Sequence, residues 1–185
     1  MQILLFALLS CEDGVVDRLV GDDPEDTAVE LPEPLDLTED PEDAPANGLQ
    51  IATPDLEVPP YSVLIFCYFG TYTGEDVGFV SLWSFTSEYN HHSLLLAVDD
   101  DQYADGVVED CGSSSNAWGG PRYEVLIQTV QVAGAPTTPG DWLALPEGYA
   151  VSLEQGQRYT LETHYINPTD QTLLVNDAIN LEFIP

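Results

Sequence analysis

The sequence predicts an all-β fold, a jelly-roll-like antiparallel β-sandwich of about eight strands, preceded by a disordered acidic tether. Three observations carry this. Short runs rich in Val, Leu, Tyr, Phe and Thr are separated by clusters of Gly, Pro, Asp and Asn, the punctuation of strands and turns. No long segment repeats its apolar residues at the 3.6 spacing of an amphipathic helix. The composition also changes abruptly near residue 49, from polar and proline-rich to apolar and aromatic.

In chain order, the first element is an apolar run, Met1 to Ser10, ending in Leu8-Leu9-Ser10-Cys11. It is too short to span a bilayer. It resembles the lipobox of bacterial lipoproteins, which implies that residues 1–10 are a signal peptide and that Cys11 is acylated as the new N-terminus. The expected localisation is therefore an exported bacterial lipoprotein, in the periplasm or at the cell surface, anchored to the outer membrane through Cys11.

Residues 11–48 form the second element. From Glu12 to Gly48 the chain holds 14 of its 33 acidic residues, one arginine, five prolines and no aromatic residue. Low hydrophobicity with high charge cannot offset the entropy of ordering, so this segment reads as a disordered linker.

The third element, residues 49–185, is the β domain. Its expected strands are Ser62–Gly70, Val77–Phe85, His92–Val98, Tyr123–Gln131, Tyr149–Leu153, Gln157–Tyr165, Thr172–Val175 and Ile179–Phe183. The chain is 44% hydrophobic, enough for a real core.

Charge narrows the partners. Three basic against 33 acidic residues give a net charge of −30, and the only cations are Arg18, Arg122 and Arg158. Such a field repels phosphate backbones and excludes nucleic acid as a partner, while it attracts cations. With Cys11 set aside, the cysteines are an even pair, Cys67 and Cys111. A bridge between them would close a loop of about 45 residues, worth roughly 4 kcal/mol in the chain-entropy picture.

The chain has three histidines, His91, His92 and His164. Strand alternation puts Tyr159, Leu161, Thr163 and Tyr165 on one face and Arg158, Thr160, Glu162 and His164 on the other. His164 thus projects from the polar face, where on its own it reads as a surface histidine. Adjacent residues of a regular strand point to opposite faces, so His91 and His92 can share one ion only at a strand end or bulge. Spacing alone leaves both readings open.

Flanking residues add a resemblance. Cys67-Tyr68-Phe69, then His91-His92-Ser93-Leu94-Leu95-Leu96, then Asp110-Cys111-Gly112, then Leu161-Glu162-Thr163-His164-Tyr165-Ile166-Asn167-Pro168 is similar to the N-terminal domain of the copper type II, ascorbate-dependent monooxygenases. That family includes peptidylglycine hydroxylating monooxygenase and dopamine beta-hydroxylase. Leu145-Pro146-Glu147-Gly148, Gln157-Arg158-Tyr159 and Asp177-Ala178-Ile179-Asn180-Leu181 extend it over roughly Val58 to Phe183. The resemblance implies a jelly roll, one copper ion per chain held by His91, His92 and His164, and a Cys67–Cys111 disulfide. Imidazole suits copper, which heads the affinity order of the divalent first-row ions.

The family pattern is not complete. Ser93, Leu96 and Val98 stand where the family continues with methionine, an aromatic residue and a cysteine. The family's second copper, held by a His-Thr-His motif and a methionine in a second domain, has no counterpart here, so the isolated chain is not expected to hydroxylate substrates. The expected function is an exported lipoprotein binding one copper ion, for electron transfer or copper handling. The alternative is the electron-transfer half of a split monooxygenase whose oxygen-activating copper domain is a separate chain. A three-histidine zinc enzyme and a scaffold that has lost its metal remain further readings.

Other motifs carry less. Asp99-Asp100-Asp101 with Asp105-Gly106 fails the EF-hand pattern and reads as a solvated loop. Ser113-Ser114-Ser115 lacks a glycine-framed nucleophile elbow, and Pro168 disqualifies Asn167-Pro168-Thr169 as a glycosylation acceptor.

Overall fold

In the computed structural model the described residues are 32–38, 40–41, 44–99, 102–112, 123–130 and 143–184, with backbone alone for 123–130 and 143. The chain divides into two compact units, Met1–Leu31 and Pro32–Pro185, and every described residue belongs to the second. The expected signal peptide and Cys11 lie outside the described residues.

The fold is all-β. In chain order the described residues form β1 Leu35–Asp36, β2 Gly48–Ala52, β3 Leu56–Val58, β4 Ser62–Thr71, β5 Val77–Thr86, β6 Asn90–Val98 and β7 Val108–Asp110. They continue as β8 Tyr123–Val130, β9 Leu143–Ala144, β10 Val151–Leu153, β11 Arg158–Asn167, β12 Leu173–Val175 and β13 Asp177–Phe183. All eight strands read from the sequence form, with ends displaced by one or two residues. The additional five are at most five residues long, too short for a period to be read.

The strands make three sheets. One five-stranded sheet runs β7-β4-β11-β6-β8, a second runs β10-β5-β13-β2 with β9 also on β5, and a three-stranded sheet runs β1-β12-β3. All pairings are antiparallel except β1 with β12. The main core joins the two larger sheets: Leu95 and Leu161 from one pack with Ile51, Phe79, Leu82, Leu153, Ile179 and Leu181 from the other. A second cluster sets Leu56, Val58, Leu173 and Val175 of the small sheet against Tyr165 of β11, with Leu64 and Phe66 beside it. Each such buried side chain contributes about 1.5–3 kcal/mol, and β11 supplies a buried residue to both clusters.

The segment read as a tether joins the fold near its end. Leu35 and Leu37 donate their N–H groups to the carbonyls of Thr172 and Leu174, both at 2.8 Å. Leu37 packs on the second core cluster, and the Asn47 side chain donates to the carbonyls of Phe183 and Ile184. Pro32 and Pro34 favour extended backbone, and alternating leucines then reach an open strand edge, which polar composition averaged over 11–48 conceals.

Candidate metal centre

The site begins with register. In the β11–β6 ladder His164 pairs with His92, and the next step pairs Tyr165 with Asn90, skipping His91. His91 is the extra residue of a β-bulge, which lets two neighbours present their rings on one side of the sheet. This settles the requirement that adjacent histidines posed in the sequence.

What pins the bulge is the arch between β5 and β6. Tyr89 takes a left-handed conformation, φ 71°, which a non-glycine residue adopts only when its surroundings demand it. The Asn90 N–H donates to the Ser87 carbonyl at 3.2 Å, and the Ile166 N–H donates to the Tyr89 carbonyl at 3.1 Å. Beneath the arch, the fully buried Asp177 accepts the Ser87 N–H at 3.0 Å and the Asn90 side-chain amide at 2.5 Å. Burial pushes the Asp177 carboxyl up to about 7, although the polar groups of Tyr165, Ser87, Asn90 and Ser93 around it pull it back.

The three rings converge. Their centroids lie 5.0 Å (His91–His92), 5.1 Å (His91–His164) and 4.9 Å (His92–His164) apart. Nδ1 of His91 stands 2.8 Å from Nδ1 of His92, and one nitrogen from each of the three rings lies within 4.8 Å of the others. His91 is exposed, while His92 and His164 are half-buried. Burial first, and the neighbouring imidazoles second, hold His92 and His164 below the ordinary histidine value of 6.5. Both are therefore neutral at pH 7, the state in which imidazole offers a lone pair to a metal. Neither ring nitrogen of His164 has a hydrogen-bond partner among the described residues, although both are shielded from solvent.

Below the rings, the face expected to be polar and solvated is a second buried layer, which corrects the reading of His164 as a surface residue. Thr160 and Glu162 are buried, as are Cys67 and Phe69 opposite them on β4 and Leu94 and Leu96 on β6. The cover comes from elements invisible to strand alternation. Tyr103 stacks on Phe69 at 4.4 Å, and Cys111, just past β7, is disulfide-bonded to Cys67.

Glu162 stands between the rings and the disulfide. Its Oε1 is 4.0 Å from Nε2 of His92, its carboxyl is raised by burial, and it forms a second cluster with both sulfurs, within 4.8 Å of one another. At this distance the contact is electrostatic rather than a hydrogen bond, and a carboxylate there disposes Nε2 of His92 to carry the proton. The three histidines have the geometry to hold a metal ion; Cys67, Cys111 and Glu162 lie as close together, but with the two sulfurs joined in the disulfide they offer no thiolate.

The structure thus brings His91, His92 and His164 together and joins Cys67 to Cys111. It also brings in Glu162, Asn90 and Asp177, which the sequence reading did not select as site residues. An acid on an apolar strand two residues before His164 was the available signal for Glu162. Comparison of the chain with protein-family models, curated proteins and solved structures returns no match.

Proposed function

We propose that this domain binds one copper ion through His91, His92 and His164 and serves electron transfer or copper handling. The observation that carries the reading is His164: a neutral imidazole, both nitrogens unpartnered and shielded, set against two further imidazoles. Polar atoms left in that condition are costly, and a metal ion would take up the lone-pair nitrogen of the ring. The donor set fits: three imidazoles and no thiolate suit copper or zinc, and copper binds the more tightly of the two. Bound there, copper supplies one-electron redox chemistry. The residues supply the rest: the bulge fixes the His91–His92 pair, the β11 ladder places His164, and Glu162 orients His92.

The resemblance to the copper type II monooxygenases supports copper over zinc, and we read the two packed five-stranded sheets as the layers of a jelly roll of that kind. On the same footing we propose export as a lipoprotein anchored at Cys11. The exposure of His91 favours a second reading, in which a separate oxygen-activating chain or another redox partner docks there. Copper- and reductant-dependent hydroxylation appearing only when such a chain is added would establish it.

The direct test is Cu(II) loading followed by desalting and elemental analysis. One copper per folded chain is expected, with loss of binding in His164→Ala. Folded protein that retains no stoichiometric copper ends the proposal.

A further inference from the structure

The second cluster has a chemistry of its own. Glu162 lies directly opposite Cys67 in the β11–β4 ladder, so their side chains share a face. Cys67 and Glu162 are buried and Cys111 is partly so. The backbone at Cys111 is held by more than the disulfide: its N–H donates to the Ile65 carbonyl at 2.9 Å, and β7 pairs with β4 through Phe66 with Asp110 and Cys67 with Glu109. With the Cα atoms 5.9 Å apart and both strands tied by their own ladder, parting the sulfurs calls for side-chain rotation alone.

We propose that reducing the Cys67–Cys111 disulfide converts Cys67, Cys111 and Glu162 into a second metal site, two thiolates and a carboxylate, that takes a d10 cation such as Zn(II) or Cu(I). A dithiol reductant supplies two electrons and two protons, leaving as its own disulfide while the S–S bond opens to two thiols. Metal binding then releases both thiol protons to solvent, because the thiolate is the ligand. Thiolates select these cations over hard ions, and three protein donors leave a fourth tetrahedral position for water. The site does not require copper at the histidine centre, yet Glu162 lies beside both. Metal on the reduced cysteines draws this carboxylate away from His92, so the redox state of the disulfide sets the surroundings of the first site.

The test uses the full chain with all three histidines replaced by alanine, which removes the first site and separates the two proposals. The chain is compared oxidised and after treatment with a phosphine reductant, with two additional thiols confirmed by titration. The reduced form is expected to retain one more Zn(II) per chain than the oxidised form, and with Co(II) to develop thiolate-to-cobalt charge-transfer absorption. Cys67→Ser with Cys111→Ser abolishes both, and Glu162→Gln weakens Zn(II) binding by about tenfold or more. Melting temperature guards against loss of fold: Zn(II) must raise it in the reduced chain and leave the double serine variant unmoved. A reduced chain that gains no metal, shows no charge-transfer band, or melts at the same temperature with and without Zn(II) overturns the proposal.

Discussion

Asp177 and Asn90 meet at 2.5 Å in the interior, one residue ahead of the histidine pair. The contact ties β13 of one sheet to the arch that feeds β6 of the other, so a buried carboxyl underlies the site without touching it. Its protonation is therefore linked to the stability of the arch.

The sign of that linkage follows from the upward shift of Asp177 from 3.8 to about 7. A carboxyl that binds its proton more tightly in the fold than in the open chain stabilises the fold fully below the lower value. That stabilisation is lost as pH rises through the higher one. Asp177→Asn cannot ionise. Relative to the parent, its stability in urea melts is expected to improve by on the order of a few kcal/mol between about pH 5 and pH 8. A difference that is flat with pH refutes the assignment.

Facing each other in the ladder, His164 and His92 make metal binding a lever on stability. An ion that binds only the native state raises its stability by RT ln(1 + [L]/Kd), about 2.7 kcal/mol at a hundredfold excess over Kd. Copper is expected to raise the melting temperature of the parent and to leave His92→Ala and His164→Ala unmoved. Because both rings sit below 6.5, proton competition for copper should set in only under that value. A titration of affinity against pH reads this directly.

Glu162 gives a prediction in two directions. Removing the carboxylate beside Nε2 of His92 is expected to weaken copper binding by about tenfold or more. The same change removes a buried acid that burial disfavours. Glu162→Gln should therefore lower copper affinity while leaving the metal-free protein at least as stable. If metal-free stability falls in step with affinity, the residue is structural.

Asn167 is a fixed point of a different kind. Its amide donates to the carbonyls of Val58, Pro59 and Gln171, and its Oδ1 accepts the N–H and hydroxyl of Thr169. Truncation strands several of these groups in the interior, and Asn167→Ala is expected to lose about 3 kcal/mol. Copper stoichiometry in the folded fraction should stay at one, as read by calorimetry and metal analysis side by side. Loss of copper from folded Asn167→Ala would count against a purely structural role.

Much of this was legible in the residues. The long strands announce themselves through runs such as Leu94-Leu95-Leu96, and the histidines through an adjacent pair that only a strand end or bulge can use. What escaped depends on partners. The β7 strand is three residues long, two of them acidic, yet it carries Cys111 to the sheet and helps bury the face of Glu162. Alternation along Arg158–His164 states which residues share a side. It cannot state that a disulfide and Tyr103 keep water from that side. The bulge likewise is a property of two strands, since nothing in His91 alone marks it as the residue left unpaired.

The same bulge makes the centre a local defect in one strand pair. One supernumerary residue, matched by a single imidazole on the neighbouring strand, gathers three donors while the ladder on the Leu94 side resumes its ordinary alternation. Such an arrangement is transplantable: splicing an extra histidine beside a cross-strand histidine pair in an unrelated antiparallel sheet, with a buried acid anchoring the preceding turn, should confer metal affinity on a scaffold that has none.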